Sequence, residues 1–210
     1  MSWIPFMKKS LGLAFEPFYN SGGFLIGGPG EAPADTGLPE PEGAGWTSGP
    51  NESIQKDPDG TFTLRTGEGE KIAFVPLGEL NQPINGTGGQ FARVVDYYGT
   101  LTAVGFLLNG TPGAMELREK DGITTRYGVF KSSYFPVQVT DKNGSTISHE
   151  RDASGRLIRS VDNHGRALSF TYDPQGKMMK VADNTPVARS ISYAYDPVTG
   201  DKLSETDSKG

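Results

Sequence analysis

The sequence predicts an all-β protein built from antiparallel hairpins, and three observations predict it. Apolar side chains alternate with polar ones in short runs, such as Leu168, Phe170 and Tyr172 or Ile191, Tyr193 and Tyr195, the period of two that belongs to strands. The runs are separated by turns rich in glycine, asparagine and aspartate, residues that accept or cap tight reversals. Over the last third of the chain an aspartate-to-glycine turn recurs at nearly constant spacing, which marks an array made from one supersecondary unit.

Composition fits this reading and narrows the function. Only 35% of the 210 residues are hydrophobic, while 29 are glycine and 15 proline, so turns must be frequent. A formal net charge of −5 argues against a general nucleic-acid partner, which would need clustered Lys and Arg to neutralise phosphates. With no cysteine, disulfides and thiolate metal sites are not available. The apolar run Leu11 to Phe15 is ended by Glu16 and Pro17, short of a signal peptide's hydrophobic region. No stretch approaches the roughly 20 apolar residues of a membrane span.

Taken in order, residues 1–57 read as a leader and a Gly/Pro-rich acidic linker. The leader concentrates Trp3, Ile4, Phe6, Phe15 and Phe18, and it either docks as a plug or stays loose. Residues 21–57 are too poor in apolar groups to offset their ordering entropy and are expected to drape over a neighbouring surface at most. Residues 58–140 read as a β-rich pre-repeat region. Phe62 and Leu64 with Ile72 and Phe74 flank Gly67-Glu68-Gly69 as one hairpin, and Met115–Arg118 with Ile123–Tyr127 flank Asp121-Gly122 as another. Phe91–Val95 and Leu101–Leu108 supply further strands.

Residues 141–210 carry the repeat. Its turns start at Asp141, Asp152, Asp162, Asp173, Asp183, Asp196 and Asp207, with spacings of 11, 10, 11, 10, 13 and 11 residues. The glycines Gly144, Gly155, Gly165, Gly176 and Gly200 close most of these turns. The aspartate is expected to cap its own turn and the glycine to supply the positive φ. Leu168, Phe170 and Tyr172 share one face, Ala167, Ser169 and Thr171 the other; Leu157, Met178 and Leu203 are expected at matching places after the turns.

Tyr172-Asp173…Gly176, Tyr195-Asp196…Gly200 and Gly155-Arg156-Leu157…Asp162…Gly165-Arg166 resemble the Rhs/YD-repeat family, which includes bacterial Rhs toxins, toxin-complex C components, wall-associated proteins and teneurins. Ile147, His149 and Arg151-Asp152 resemble a degenerate copy of the same unit. The resemblance implies a spiral sheet closing into a hollow β-shell around a toxin cargo, in a secreted or cell-surface setting. It also implies that the remainder of a larger shell or a partner chain must cover the exposed edge of the last strand. The chain departs from the family in lacking the self-cleaving motif, since Asp173-Pro174 and Asp196-Pro197 sit in ordinary repeat turns.

The structural reading, a shell wall segment that is not an enzyme and needs no cofactor, is set against two others. Tyr172, Tyr193 and Tyr195 would stack on sugar rings in a carbohydrate-binding module, although packing on the covered face is the stronger expectation. A hydrolase or autoprotease lacks a G-x-S-x-G elbow and any recognisable nucleophile-base pair. His149 and His164 lack the companions of a metal site, His164 lying in a turn and His149 on the packed face. Asp57-Pro58-Asp59-Gly60 reads as a turn rather than a calcium loop. The Asn51, Asn85, Asn109 and Asn143 triplets do not establish glycosylation, three of them being Asn-Gly turns.

Overall fold

The computed structural model describes residues 17–19, 46–48, 52–67, 70–76, 90–93, 99–107, 111–187 and 189–208. Most of the leader, most of the acidic stretch and the residues Asn51, Asn85 and Asn109 lie outside them. The described residues form strands and turns without a helix. Strands β1 (Pro17–Tyr19) and β2 (Trp46–Ser48) make a separate antiparallel pair. All other strands belong to one antiparallel sheet of 14.

The first part of that sheet closes on itself. It runs through β3 (Ser53–Lys56), β4 (Phe62–Arg65), β5 (Lys71–Pro76), β6 (Gln90–Arg93), β7 (Thr100–Phe106), β8 (Pro112–Arg118), β9 (Thr124–Phe130) and β10 (Ser133–Thr140). Each strand pairs with the next, and β10 then pairs back to β3 through Ser133↔Gln55 and Tyr134↔Ile54. The result is an eight-stranded antiparallel barrel, a size whose interior side chains can just fill. Ile54, Phe62, Leu64, Phe74, Leu101, Met115, Tyr127 and Tyr134 fill it. Tyr134 reaches from β10 across to β8, where its hydroxyl donates to the Pro112 carbonyl at 2.9 Å, and its ring meets Phe62 edge-on.

Alternation and turn chemistry predict the hairpins but not their closure, and the difference has a local cause. Strand β3 lies inside the stretch read as linker, yet Ile54 is fully buried between Leu64 and Tyr134. One apolar residue in the right register seals the ring where composition averaged over 21–57 is dominated by glycine, proline and acid. The Asp121-Gly122 hairpin forms as expected. Only Gly122 has positive φ, at 89°, and its N–H donates to Glu119 O, so the loop is a type I turn closed by a glycine bulge rather than a two-residue type I′ turn.

Strand β10 is also where the sheet forks. One side pairs with β9 along its length, while the other gives its start to β3 and its end, Gln138–Thr140, to β11. From there the sheet continues as an open ladder: β11 (Thr146–Arg151), β12 (Leu157–Asp162), β13 (Ala167–Tyr172), β14 (Met178–Asp183), β15 (Ser190–Tyr195) and β16 (Lys202–Asp207). A second core gathers Leu157, Phe170, Met178, Val181 and Tyr193, with Leu168, Tyr172, Ile191 and Tyr195 packed against it.

Ala167, at the start of β13, is buried, where Asn184 of the next turn clasps its backbone, accepting from Ala167 N–H at 2.8 Å and donating its own N–H to Ala167 O. One sequence expectation shifts here. Leu203 does not match Leu157 and Met178. The Asp196 turn holds one more residue, since Gly200 N–H reaches the Asp196 carbonyl four positions back rather than three. Lys202 therefore pairs with Tyr195 as Met178 pairs with Tyr172 and Leu157 with Arg151. Leu203 becomes the extra residue of a β-bulge, like Ile158 and Met179, and all three are exposed, at 64%, 40% and 43%. Lys202 lays its stem in the vacated line and its ammonium over the Tyr193 ring.

Candidate functional site

The surface that distinguishes this chain is its two rows of stacked turns. In one row stand Asp152–Gly155, Asp173–Gly176 and Asp196–Gly200; in the other stand Asp141–Gly144, Asp162–Gly165 and the turn from Asp183 to Arg189. Each glycine has φ between 76° and 88°, a left-handed conformation that L side chains resist. Each aspartate accepts backbone N–H groups of its own turn. Asp152 takes Ser154 and Arg156, Asp162 takes His164 and Arg166, and Asp141 takes Asn143 and Ser145, all at 2.8–3.0 Å.

A second carboxylate oxygen then grips the side chain that follows the turn. Arg156 Nε donates to Asp152 at 2.7 Å, Arg166 to Asp162 at 2.6 Å and Arg189 to Asp183 at 2.9 Å. Burial works against ionisation of Asp152, Asp162 and Asp183, but the bonds from the turn outweigh it and hold all three carboxyls below the usual range, Asp183 at about 2. These three turns are thus pinned by charge-assisted bonds. Among the described residues no cluster of His, Asp or Glu could hold a metal ion.

Ties between turns repeat with the period of the chain. Tyr172 Oη donates to the Leu157 carbonyl 15 residues earlier. One repeat upstream, Arg151 Nε donates to the Pro136 carbonyl over the same offset, at 2.9 Å. Arg151 also donates to Gly155 O at 2.8 Å and lies 5.0 Å over the Phe135 ring. The arginine of Arg151-Asp152 therefore does the work of the tyrosine in Tyr172-Asp173, at the fork where the Pro136 carbonyl lies between β3 and β11. Its role was missed from sequence. The signal was there as the 21-residue offset from 151 to 172, but the proline at 136 hides the first place of the series.

The same seam holds two perturbed groups. Burial pushes the Glu52 carboxyl up to about 7, although Tyr127 Oη donates to it at 2.8 Å and Arg151 attracts it. Burial, aided by the Arg151 charge, pushes His149 down to about 4, and its Nδ1 lies 2.8 Å from Ser160 Oγ. Ser160 is buried, so this pair packs the first hairpin as Phe170 and Val181 pack the second. His164 lies in an exposed turn, where its backbone N–H caps Asp162. Of the rings weighed as sugar platforms, Tyr193 is buried and Tyr172 and Tyr195 pack on the second core.

The fold and these ties define a class: an antiparallel hairpin-repeat sheet growing from a closed barrel. The RHS repeat family profile matches residues 151–186, spanning β12 to β14 with the turns on either side. Among solved structures it is similar to one titled "Crystal Structure of TcdB2-TccC3-TEV", at 13% identity and a TM-score of 0.26. That similarity covers 78% of this chain and 11% of the other, so the chain spans a small part of that structure's length. No curated protein matches the chain in sequence.

Proposed function

We propose that this chain is a non-catalytic wall segment of an Rhs/YD-type shell that encloses or displays a cargo domain, in a secreted or cell-surface setting. The observation that supports it is the regular tie between successive turns, Arg151 to Pro136 and Tyr172 to Leu157. It carries one geometry from the barrel seam into the ladder. The barrel takes up the β3 side of β10, and the ladder runs on from its β11 side to β16. Rings and aliphatic groups gather on one face, as a curved sheet with a covered side requires.

Electron microscopy of the assembled protein, with an epitope inserted at the exposed Val187 of the β14–β15 turn, tests this. The expected image is a hollow particle with the epitope on its wall and a cargo protected from added protease until the particle is opened. A ladder projecting into solvent with no enclosed volume would refute the reading.

A further inference from the structure

We infer that Asn143, in the turn that joins the barrel to the ladder, is a site of spontaneous deamidation, and that Asp141 sets its rate by holding the turn closed. This goes beyond the wall reading and does not depend on it. A conflict within the turn is the starting point. The hairpin between β10 and β11 needs a residue at positive φ, and Gly144 supplies it at 82°. A glycine also leaves its own amide nitrogen without a Cβ to shield it. The residue before it is asparagine, a chemically labile side chain whose Cγ can close a small ring with that nitrogen.

Among the described residues this combination occurs once. The other turn glycines follow Ser154, His164, Gln175 or Thr199, or the carboxylates Asp59 and Asp121, none of which carries a carboxamide at that distance. Some of those glycines are also covered. A Cβ on Gly155 would meet Phe135 Cε2 at 2.8 Å, and one on Gly122 would meet Lys142 Cβ at 3.0 Å. A Cβ on Gly144 meets nothing within 4 Å, and Asn143 and Gly144 are both exposed, so water and a product ring have room.

The reaction balances with water as co-reactant. The Gly144 nitrogen bonds to Asn143 Cγ, and the side-chain nitrogen leaves as ammonia, taking up the proton that the backbone amide gives up. Water then opens the resulting succinimide at one of its two carbonyls. Attack at Cγ leaves an aspartate, whereas attack at the main-chain carbonyl leaves an isoaspartate whose backbone runs through Cβ and Cγ. Either product sets a new carboxylate beside Asp141, and the second lengthens the loop that closes the Thr140↔Thr146 pair.

The closed turn opposes the first step. Gly144 N–H donates to Asp141 O at 3.0 Å, while Asp141 Oδ1 accepts Asn143 N–H at 2.8 Å and Ser145 N–H at 2.9 Å. To react, the nitrogen must give up its proton and swing toward Cγ, and these bonds resist both. Burial works against the charge on Asp141, but bonds from Ser145 and Asn143 outweigh it and hold the carboxyl below its usual range. That negative charge disfavours losing a proton nearby. Conversion therefore waits for local opening of the turn.

The test uses the full chain at mildly alkaline pH, with peptide mass spectrometry following conversion of Asn143. The folded chain should convert at least about tenfold more slowly than the same chain in urea, because the open fraction limits it. Asp141→Ala should convert at least about fivefold faster than the parent, with the sheet retained by circular dichroism. Asp141→Asn, which keeps an oxygen acceptor and drops the charge, should fall between them and serves where the alanine variant does not fold. Asp173→Ala, in a turn of the other row that caps Lys177 N–H, should keep the parent rate. Equal rates in the folded chain and in urea, no conversion in urea, parent rates in both Asp141 variants, or an equal rise in Asp173→Ala would each overturn the inference.

Discussion

Replacing Gly155 with alanine separates the cost of a turn from the cost of a seam. Gly155 and Gly144 have nearly the same φ, 88° and 82°, so alanine at either forces an L residue into the left-handed region, at about 1–2 kcal/mol. The spaces around them differ. A Cβ on Gly144 meets nothing within 4 Å, whereas one on Gly155 meets Phe135 Cε2 at 2.8 Å, Phe135 Cδ2 at 3.0 Å and Phe130 Cβ at 3.3 Å. Phe135 cannot easily yield, because it lies in β10, is held under Arg151 and packs on Phe130 with centroids 6.2 Å apart. Overpacking of this kind adds about 1–3 kcal/mol. Urea unfolding should therefore show Gly155→Ala losing about 2–5 kcal/mol and Gly144→Ala about 1–2 kcal/mol, with the excess traceable to the seam. Pairing Gly155→Ala with Phe135→Leu should recover part of the excess but none of the turn cost. Equal losses for the two alanines would show that the ladder does not bear on the barrel at this point.

Three further outcomes follow from the same structure. Arg151→Ala should cost about 2–4 kcal/mol, since it strips a charged donor from the Pro136 and Gly155 carbonyls, whereas exposed Arg159→Ala, which loses only a surface pair with Glu150, should cost under about 1 kcal/mol by the same denaturation assay. Met178→Ala, emptying a fully buried place in the second core, should cost about 2–5 kcal/mol, and Met179→Ala on the exposed bulge under about 1 kcal/mol; similar losses would place the core on the wrong face. For pH, Glu52 at about 7 is raised above its ordinary 4.5, so protonation stabilises the fold as pH falls from 7 to 4.5. His149 at about 4 is lowered from 6.5, so the fold loses stability as pH falls from 6.5 to 4. Each is worth about 3 kcal/mol, and they nearly cancel between pH 6.5 and 4.5. Thermal melts should be almost flat there for the parent, fall with acid in Glu52→Gln and rise with acid in His149→Asn; parallel profiles for all three would contradict the assignment.

The ladder was legible in the sequence because its physics is local. A turn of Asp152-Ala-Ser-Gly155 contains the carboxylate that accepts its own amides and the glycine that supplies its φ. Alternation then sends Phe170 and Tyr193 to one face wherever the strands lie. Even the slip at Leu203 was a local matter, one extra residue in the Asp196 turn. Closure of the barrel was not legible, since it depends on Ile54 meeting Tyr134 across 80 positions of chain, and no period links them. The seam was hidden for the same reason. Glu52 looks like an acidic linker residue until Tyr127 and Arg151 arrive from distant strands, and its proton affinity is set by the burial they impose. Sequence alone determined the hairpins and their repeat, because turn chemistry and side-chain alternation act between near neighbours. Only the tertiary structure decided the ring and the fork at Pro136, because these depend on which strand edges meet, and edges carry backbone groups that are the same in every residue but proline.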